Sequence, residues 1–323
     1  MKTPRTLAGA ALLALAFASH AFDLQSHRGG RGLWPENTLH AFDQSVRMGV
    51  TTLELDIALT ADDVPVISHD MALNPDHTRD ANGAWLPAAG PLIRSLTLAQ
   101  LQAYDVGRLR PGSKYAEQFA TQTPKDGERI PTLAALFALV KERRAHAVRF
   151  NIETKLDPTR PDDSASPETM VRMLLAEIDK AGVADRVTIQ SFDWRSLALV
   201  RQLAPAMPRA YLTTARTLKD SRWTNGLNAT DFASTPQLVK AAAGNASAPV
   251  TWSPSGFDVN AASTKEAQAM GFRVIPWTVN KQVDMNNILR LGVDGLITDY
   301  PDVLRTVMRS QGLPMPLPTI PVN

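Results

Sequence analysis

The sequence predicts a parallel (β/α)8 barrel, a TIM barrel, with an insertion after its third strand. Short apolar runs of strand length recur along the chain, and segments with apolar residues at three-to-four spacing separate most of them. The first four runs also end on polar or charged residues, and strand C-termini meet at one mouth in that fold. A doubly wound open sheet satisfies the same alternation, because pattern alone does not show closure.

The expected strands cover residues 22–28, 52–58, 64–69, 148–155, 187–192, 209–213, 272–279 and 295–298. Between them, "ENTLHAFDQSVRMGV", "TLAALFALVKERR", "SPETMVRMLLAEIDKAG", "DWRSLALVRQLA" and "DMNNILRLG" carry helical periodicity, and several end on glycine. "VTWSP" near Val250 is a ninth candidate left outside the count. Two connections break the alternation. "LTADD" between the second and third strands is too short for a crossover helix. The segment of about 71–131 is far longer than a strand-to-helix loop requires and reads as a lid or binding subdomain.

The ends of the chain differ from its body. Lys2 and Arg5 precede "LAGAALLALAFA", and "SHA" supplies the small residues a signal peptidase reads, so residues 1–21 are expected to be a secretory signal. The apolar stretch is short for a membrane span, which disfavours a retained anchor. Losing Lys2 and Arg5 brings the formal charge from +2 to zero, so the chain carries no basic signal for nucleic acid or anionic membrane. With no cysteine there is no disulfide, thiolate metal site or cysteine nucleophile. The globular domain is expected over 22–311, in a periplasmic or secreted protein without stable membrane insertion. Residues 312–323 are proline-rich and expected to form a loose tail.

The chemistry gathers in "LELDIALTADDVPVISHD". Side chains alternate along a strand, so Glu54 and Asp56 share one face while Leu53, Leu55 and Ile57 take the other. Two desolvated carboxylates side by side are unfavourable unless something neutralises them. Glu153 and Lys155 repeat the i, i+2 arrangement, His27 and Arg28 close the first strand, and His69 and Asp70 close the third. Oxygen ligands from Glu54, Asp56 and Glu153 suit Ca²⁺ or Mg²⁺, whereas zinc would fit better if the histidines were ligands. His27 and His69 can take and give a proton, and Arg28 and Lys155 can meet a phosphate. The glycines of "GGRG" can bring backbone N–H groups to an anion, although a plain turn is their simpler reading.

"HRGGRGLWPENTLHAF", "LELDIALTADDVPVISHD", "NIETK", "QSFD", "WTVN" and "DGLITDYPD" stand in an order and spacing that resemble the glycerophosphodiester phosphodiesterase family, from about His27 to Asp302. The resemblance implies a TIM-barrel phosphodiesterase that binds one divalent cation and cleaves small glycerophosphodiesters, such as glycerophosphocholine or glycerophosphoethanolamine, to glycerol 3-phosphate and an alcohol. It implies an acid/base pair at His27 and His69, metal ligands at Glu54, Asp56 and Glu153, and phosphate contacts at Arg28 and Lys155. Asn37 and Trp277 match motif positions lining the pocket. Related enzymes acting on lysophospholipids or ending at a cyclic phosphate, and a non-catalytic phosphodiester-binding protein, are the alternative readings.

Overall fold

The computed structural model describes residues 21–319. Its strands are Asp23–Ser26 (β1), Thr52–Leu59 (β2), Pro65–Ile67 (β3), Arg149–Thr154 (β4), Val187–Ser191 (β5), Arg209–Thr213 (β6), Val250–Pro254 (β7), Arg273–Val274 (β8) and Gly295–Thr298 (β9). Its helices are Leu39–Met48 (α1), Leu98–Leu101 (α2), Lys114–Gln118 (α3), Leu133–Glu142 (α4), Pro167–Ala181 (α5), Trp194–Leu203 (α6), Thr235–Ala243 (α7), Ala261–Ala269 (α8), Gln282–Leu289 (α9) and Pro301–Ser310 (α10). The strands run in the order β8-β7-β6-β5-β4-β2-β1-β9, all parallel, with β3 attached to β2 alone. The ends of this sheet meet: the Asp294 N–H donates to Val274 O at 2.9 Å and Val279 N–H to Ile297 O at 3.0 Å. The eight parallel strands thus make a nearly closed barrel, as the alternation predicts.

Helix boundaries follow local chemistry. The Thr38 hydroxyl accepts from Ala41 N–H to open α1, and Ser166 does the same for α5, whose first residue is Pro167. Gly182 closes α5 at φ +66°, a conformation that glycine adopts without Cβ strain. The helices cover apolar outer faces of the strands. Leu53, Leu55 and Ile57 are fully buried there, while Glu54 and Asp56, on the lumen side, are at most 2% exposed. Both faces of β2 are therefore buried, which sharpens the cost of two carboxylates on one of them.

One expectation is corrected by the topology. The run at 64–69 is not a barrel strand; it contributes β3, which pairs antiparallel with β2 as a hairpin, Ile57 opposite Ile67 and Leu59 opposite Pro65. β2 pairs directly with β4 instead, and the eighth parallel strand is β7, between β6 and β8, formed by the "VTWSP" run. A five-residue connection permits only an antiparallel return, so strand-like composition at 64–69 carried no information about direction. The return is useful: β2 overshoots the mouth, and β3 brings the chain back so that Ser68 N–H donates to Asp56 O at 2.9 Å. His69 follows immediately.

The insertion builds its own small core on this hairpin, with Leu73, Ile93, Leu101, Val106 and Ile130 packed against Ala58 and Val66. The described part of the proline-rich end, 312–319, has no helix or strand, yet it is not loose. Leu313 and Met315 pack on the main core, and Arg305 Nη1 donates to Pro316 O at 2.9 Å. The expected signal, apart from Ala21, lies outside the described residues. Among the described residues no helix is long and apolar enough to cross a membrane.

Candidate active site

His27 sits one residue beyond β1, in a short 3-10 turn, and Arg28 beside it adopts φ +51°. Such a value is uncommon for a non-glycine residue and needs surrounding support. That support is close packing: Gly29 is so near α1 that a Cβ there would lie 2.9 Å from the Ala41 Cβ. Two of its glycine N–H groups already have backbone partners, Gly30 donating to His27 O at 2.8 Å within the turn and Gly32 to Asp299 O, after β9, at 3.0 Å. The "GGRG" cluster therefore acts as a turn.

β2 and β4 are adjacent and place Asp56 opposite Glu153. Glu54, Asp56 and Glu153 each offer an oxygen such that the three atoms lie within 4.8 Å of one another, and all three residues are buried. Lys155 Nζ donates to Glu153 Oε1 at 2.7 Å and lies 3.6 Å from Asp56 Oδ1. Arg28 Nε is 3.3 Å from Asp56 Oδ2, which also accepts from Asn37 Nδ2 at 3.0 Å. Two cations thus face three carboxylates. Asp56 Oδ1 is buried and has no hydrogen-bond partner among the described residues.

The protonation balance reflects that shortage. Burial and the neighbouring Asp56 push the Glu54 carboxyl well above the usual carboxylate range. Burial pushes Glu153 up to about 7 although Lys155 opposes it. At Asp56 the charges of Arg28 and Lys155 overcome burial and hold the carboxyl below its ordinary value. The donor set consists of oxygens without an imidazole, is short of positive charge and keeps an unsatisfied buried oxygen, so it fits a hard divalent cation.

The two histidines are oriented alike. Nδ1 of His27 bonds to Asp299 Oδ1 at 2.5 Å, and Nδ1 of His69 to Asp70 Oδ1 at 2.8 Å. In each ring this leaves Nε2 for other contacts. Asp299 is fully buried and further held by Arg31 Nε at 2.7 Å and Asn280 Nδ2 at 2.7 Å. Asp70 is more open and held by Asn74 Nδ2 at 2.7 Å. Burial lowers both histidines from their ordinary value; at His69, with Arg28 and Lys155 adding to the effect, the ring falls to about 4.

His27, Arg28, Glu54, His69, Glu153 and Trp277 line one cavity of about 90 Å³. Asp56, Lys155 and Asn37 adjoin it through the contacts above. Trp277 is fixed by its indole N–H to Ser253 O at 2.9 Å and by an edge contact with Phe192, ring centres 5.2 Å apart. All nine residues singled out in the sequence therefore converge. The sequence reading missed Asp299, Glu36, Arg31, Gln190 and Tyr115. Asp299 had a signal, since it follows the strand residue Ile297 at i+2 and so obeys the rule that found Glu54 and Asp56. Tyr115 had none, because the insertion offers no periodicity to place it.

Residues 27–303 match the Glycerophosphoryl diester phosphodiesterase family. The Bacillus subtilis protein YhdW is 31% identical over 279 residues, covering 86% of this chain and 95% of its own length. The glycerophosphodiester phosphodiesterase of Caldanaerobacter subterraneus subsp. tengcongensis is 27% identical over 287 residues, covering 89% and 98%. Among solved structures, a Silicibacter pomeroyi protein named for the same family superposes with a TM-score of 0.82 at 34% identity, covering 91% of this chain and 95% of that one. An Oleispira antarctica phosphodiesterase in complex with its product sn-glycerol-3-phosphate shares the fold, with a TM-score of 0.64 at 22% identity over 90% of this chain and 97% of that one. The barrel, the convergent mouth and the family match along nearly the whole described chain lead to one conclusion: the protein belongs to the glycerophosphoryl diester phosphodiesterase family and is an enzyme of that class.

Proposed function

We propose that the chain hydrolyses water-soluble glycerophosphodiesters, with glycerophosphocholine and glycerophosphoethanolamine as model substrates, to glycerol 3-phosphate and an alcohol, using one bound divalent cation. The observation that carries this reading is the convergence of three under-compensated carboxylates and two carboxylate-anchored histidines on one cavity. Glu54, Asp56 and Glu153 would hold the cation, Ca²⁺ or Mg²⁺. When bound it supplies positive charge for phosphate oxygens.

The chain's own residues supply the rest. Arg28 and Lys155 add fixed positive charge beside the carboxylates, where a phosphate oxygen can be met. One histidine accepts a proton at Nε2 from the nucleophile, either water or the neighbouring glycerol hydroxyl whose cyclic phosphate product water then opens, and the other donates one at Nε2 to the departing oxygen. Asp299 and Asp70 hold each ring in the tautomer and rotation those transfers require. The apolar wall of Trp277 and Phe192 would exclude bulk water from one side of the reacting group.

The test is glycerol 3-phosphate release from glycerophosphocholine, with and without a chelator. Release that stops on chelation and returns with Ca²⁺ or Mg²⁺ supports the reading; no release under any metal condition contradicts it. We also propose that the enzyme works after export, on the strength of the "SHA" site. N-terminal sequencing of the exported protein is then expected to begin at Phe22, and a start beyond His27 would rule this out.

A further inference from the structure

The insertion touches the catalytic turn at many points. Thr121 Oγ1 donates to Gly32 O at 2.9 Å, Gln122 Nε2 to Arg31 O at 2.7 Å and Thr123 N–H to Leu33 O at 2.8 Å. The Arg31 guanidinium lies 4.8 Å from the Phe119 ring centre, and Phe119 meets Tyr115 edge-on at 5.1 Å. At the centre of this contact Tyr115 donates its hydroxyl hydrogen to Glu36 Oε2 and accepts from Arg31 Nη1 at 3.1 Å. The other oxygen of the same carboxylate, Glu36 Oε1, accepts from Arg28 Nη1 at 2.8 Å.

This arrangement decides how much of Arg28 is free. Arginine and carboxylate favour a two-bond fork, which would occupy a whole edge of the guanidinium. Here the Tyr115 hydroxyl holds Oε2, turning the carboxylate so that Arg28 meets it through Oε1 alone. Arg28 Nε, buried and 3.3 Å from Asp56 Oδ2, makes no hydrogen bond among the described residues. The guanidinium is thus held on one side and left with unused donors on the other. Asp56 matches the charge at ion-pair distance but takes no hydrogen bond from Nε, and an anion at the mouth would complete the guanidinium's contacts.

We infer that Tyr115 is a positioning residue for Arg28: by tethering Glu36 it keeps the guanidinium available to the phosphate, so the insertion is a working part of the phosphate grip. This rests on Arg28 being a phosphate contact, as proposed above, and needs no particular head group. Tyr115 touches no reacting atom and acts through Glu36.

A binding experiment on the purified full protein tests it, with glycerol 3-phosphate as the probe and Ca²⁺ present. Tyr115→Phe keeps the ring and its packing on Phe119 and removes only the hydroxyl. The expected result is a dissociation constant for glycerol 3-phosphate raised about tenfold, with KM for a glycerophosphodiester rising in parallel and kcat changing much less, because a ground-state phosphate contact is what weakens. Repeating the change in an Arg28→Lys background decides whether Arg28 carries the effect: the tenfold loss should largely vanish there. Glu36→Gln, which removes the carboxylate that competes for Arg28, should not weaken binding, and adding Tyr115→Phe to it should change little. An unaltered dissociation constant in Tyr115→Phe, or a full tenfold loss that persists in the Arg28→Lys background, would overturn the inference. A wild-type protein that binds glycerol 3-phosphate yet releases none from any diester would instead remove the proposed function, leaving the binding comparison to be read on its own.

Discussion

The barrel lumen carries buried carboxylates at both ends, and the two ends treat them in opposite ways. At the bottom, Asp23 is matched from every side. Its Oδ2 forms an ion pair with Arg149 Nη2 at 2.9 Å and accepts from Arg273 Nη1 at 3.2 Å and Gln25 Nε2 at 3.2 Å, and its Oδ1 accepts from Thr52 Oγ1 at 2.7 Å. At the mouth, three carboxylates share two cations, and one oxygen has no hydrogen bond among the described residues. A hydrogen-bonded column joins the ends: Gln190 Nε2 donates to Glu54 Oε1 at 2.6 Å, and Asn151 Nδ2 to Gln190 Oε1 and Gln25 Oε1 at 2.8 Å each. Buried charge alone therefore does not mark a site. A carboxylate with two arginines and two further donors is structure; carboxylates left short of partners at a strand C-terminus are chemistry waiting for a ligand.

The largest effects should separate the two ends. Replacing His27 or His69 with Ala should lower kcat on glycerophosphocholine by roughly 10²-fold to 10⁴-fold, and the double change should cost much less than the product of the two. An aryl phosphodiester, whose leaving group needs little protonation, should be hurt less by loss of the acid histidine; steady-state rates for both variants on both substrates assign the roles. Near wild-type rates in both variants would show the mouth histidines to be structural, like the bottom polar groups.

Glu153→Gln should abolish most cation affinity and activity while leaving the melting temperature of the metal-free protein unchanged or higher, because it removes a carboxyl that burial disfavours. Asp23→Asn should do the reverse. It leaves Arg149 and Arg273 without their carboxylate, at a cost of roughly 1–3 kcal/mol, with kcat unaltered. Thermal melts and kinetics on the two variants break the comparison if the pattern is exchanged.

A smaller effect concerns pH. The folded-state Glu153 carboxyl, at about 7, lies above its ordinary 4.5, so the metal-free protein keeps a proton there that the unfolded chain has lost. Its contribution to metal-free stability is complete below about pH 4.5 and disappears as pH rises through about 7. A cation must displace that proton, so affinity should rise with pH across the same window. Calorimetry at pH 6 in two buffers of different ionisation enthalpy should report proton release on binding; identical heats would count against it.

The legibility of this molecule in its sequence divides along physical lines. β2 was readable because alternation sorts Leu53, Leu55 and Ile57 from Glu54 and Asp56 without any tertiary information. β7 alternates, Val250 and Trp252 against Thr251 and Ser253, and stands as a ninth run only because the run at 64–69 fills a place among the eight. β3 was readable as a strand but not as a hairpin arm until the five-residue connection is weighed. Among site residues, those following a strand in phase with it were visible, and Asp299 could have been. Tyr115 sits on the short helix α3, 79 residues from Glu36 in sequence, and nothing local specifies that contact.

Cation titration of the chelated protein, followed by calorimetry, tests the central contrast most directly. The account predicts one divalent site in the wild-type protein, its loss in Glu54→Gln and Glu153→Gln, and its full retention in Asp23→Asn. Undiminished binding in both mouth variants, or its loss in Asp23→Asn with the fold intact, would contradict the assignment of the unmatched carboxylates as the cation site.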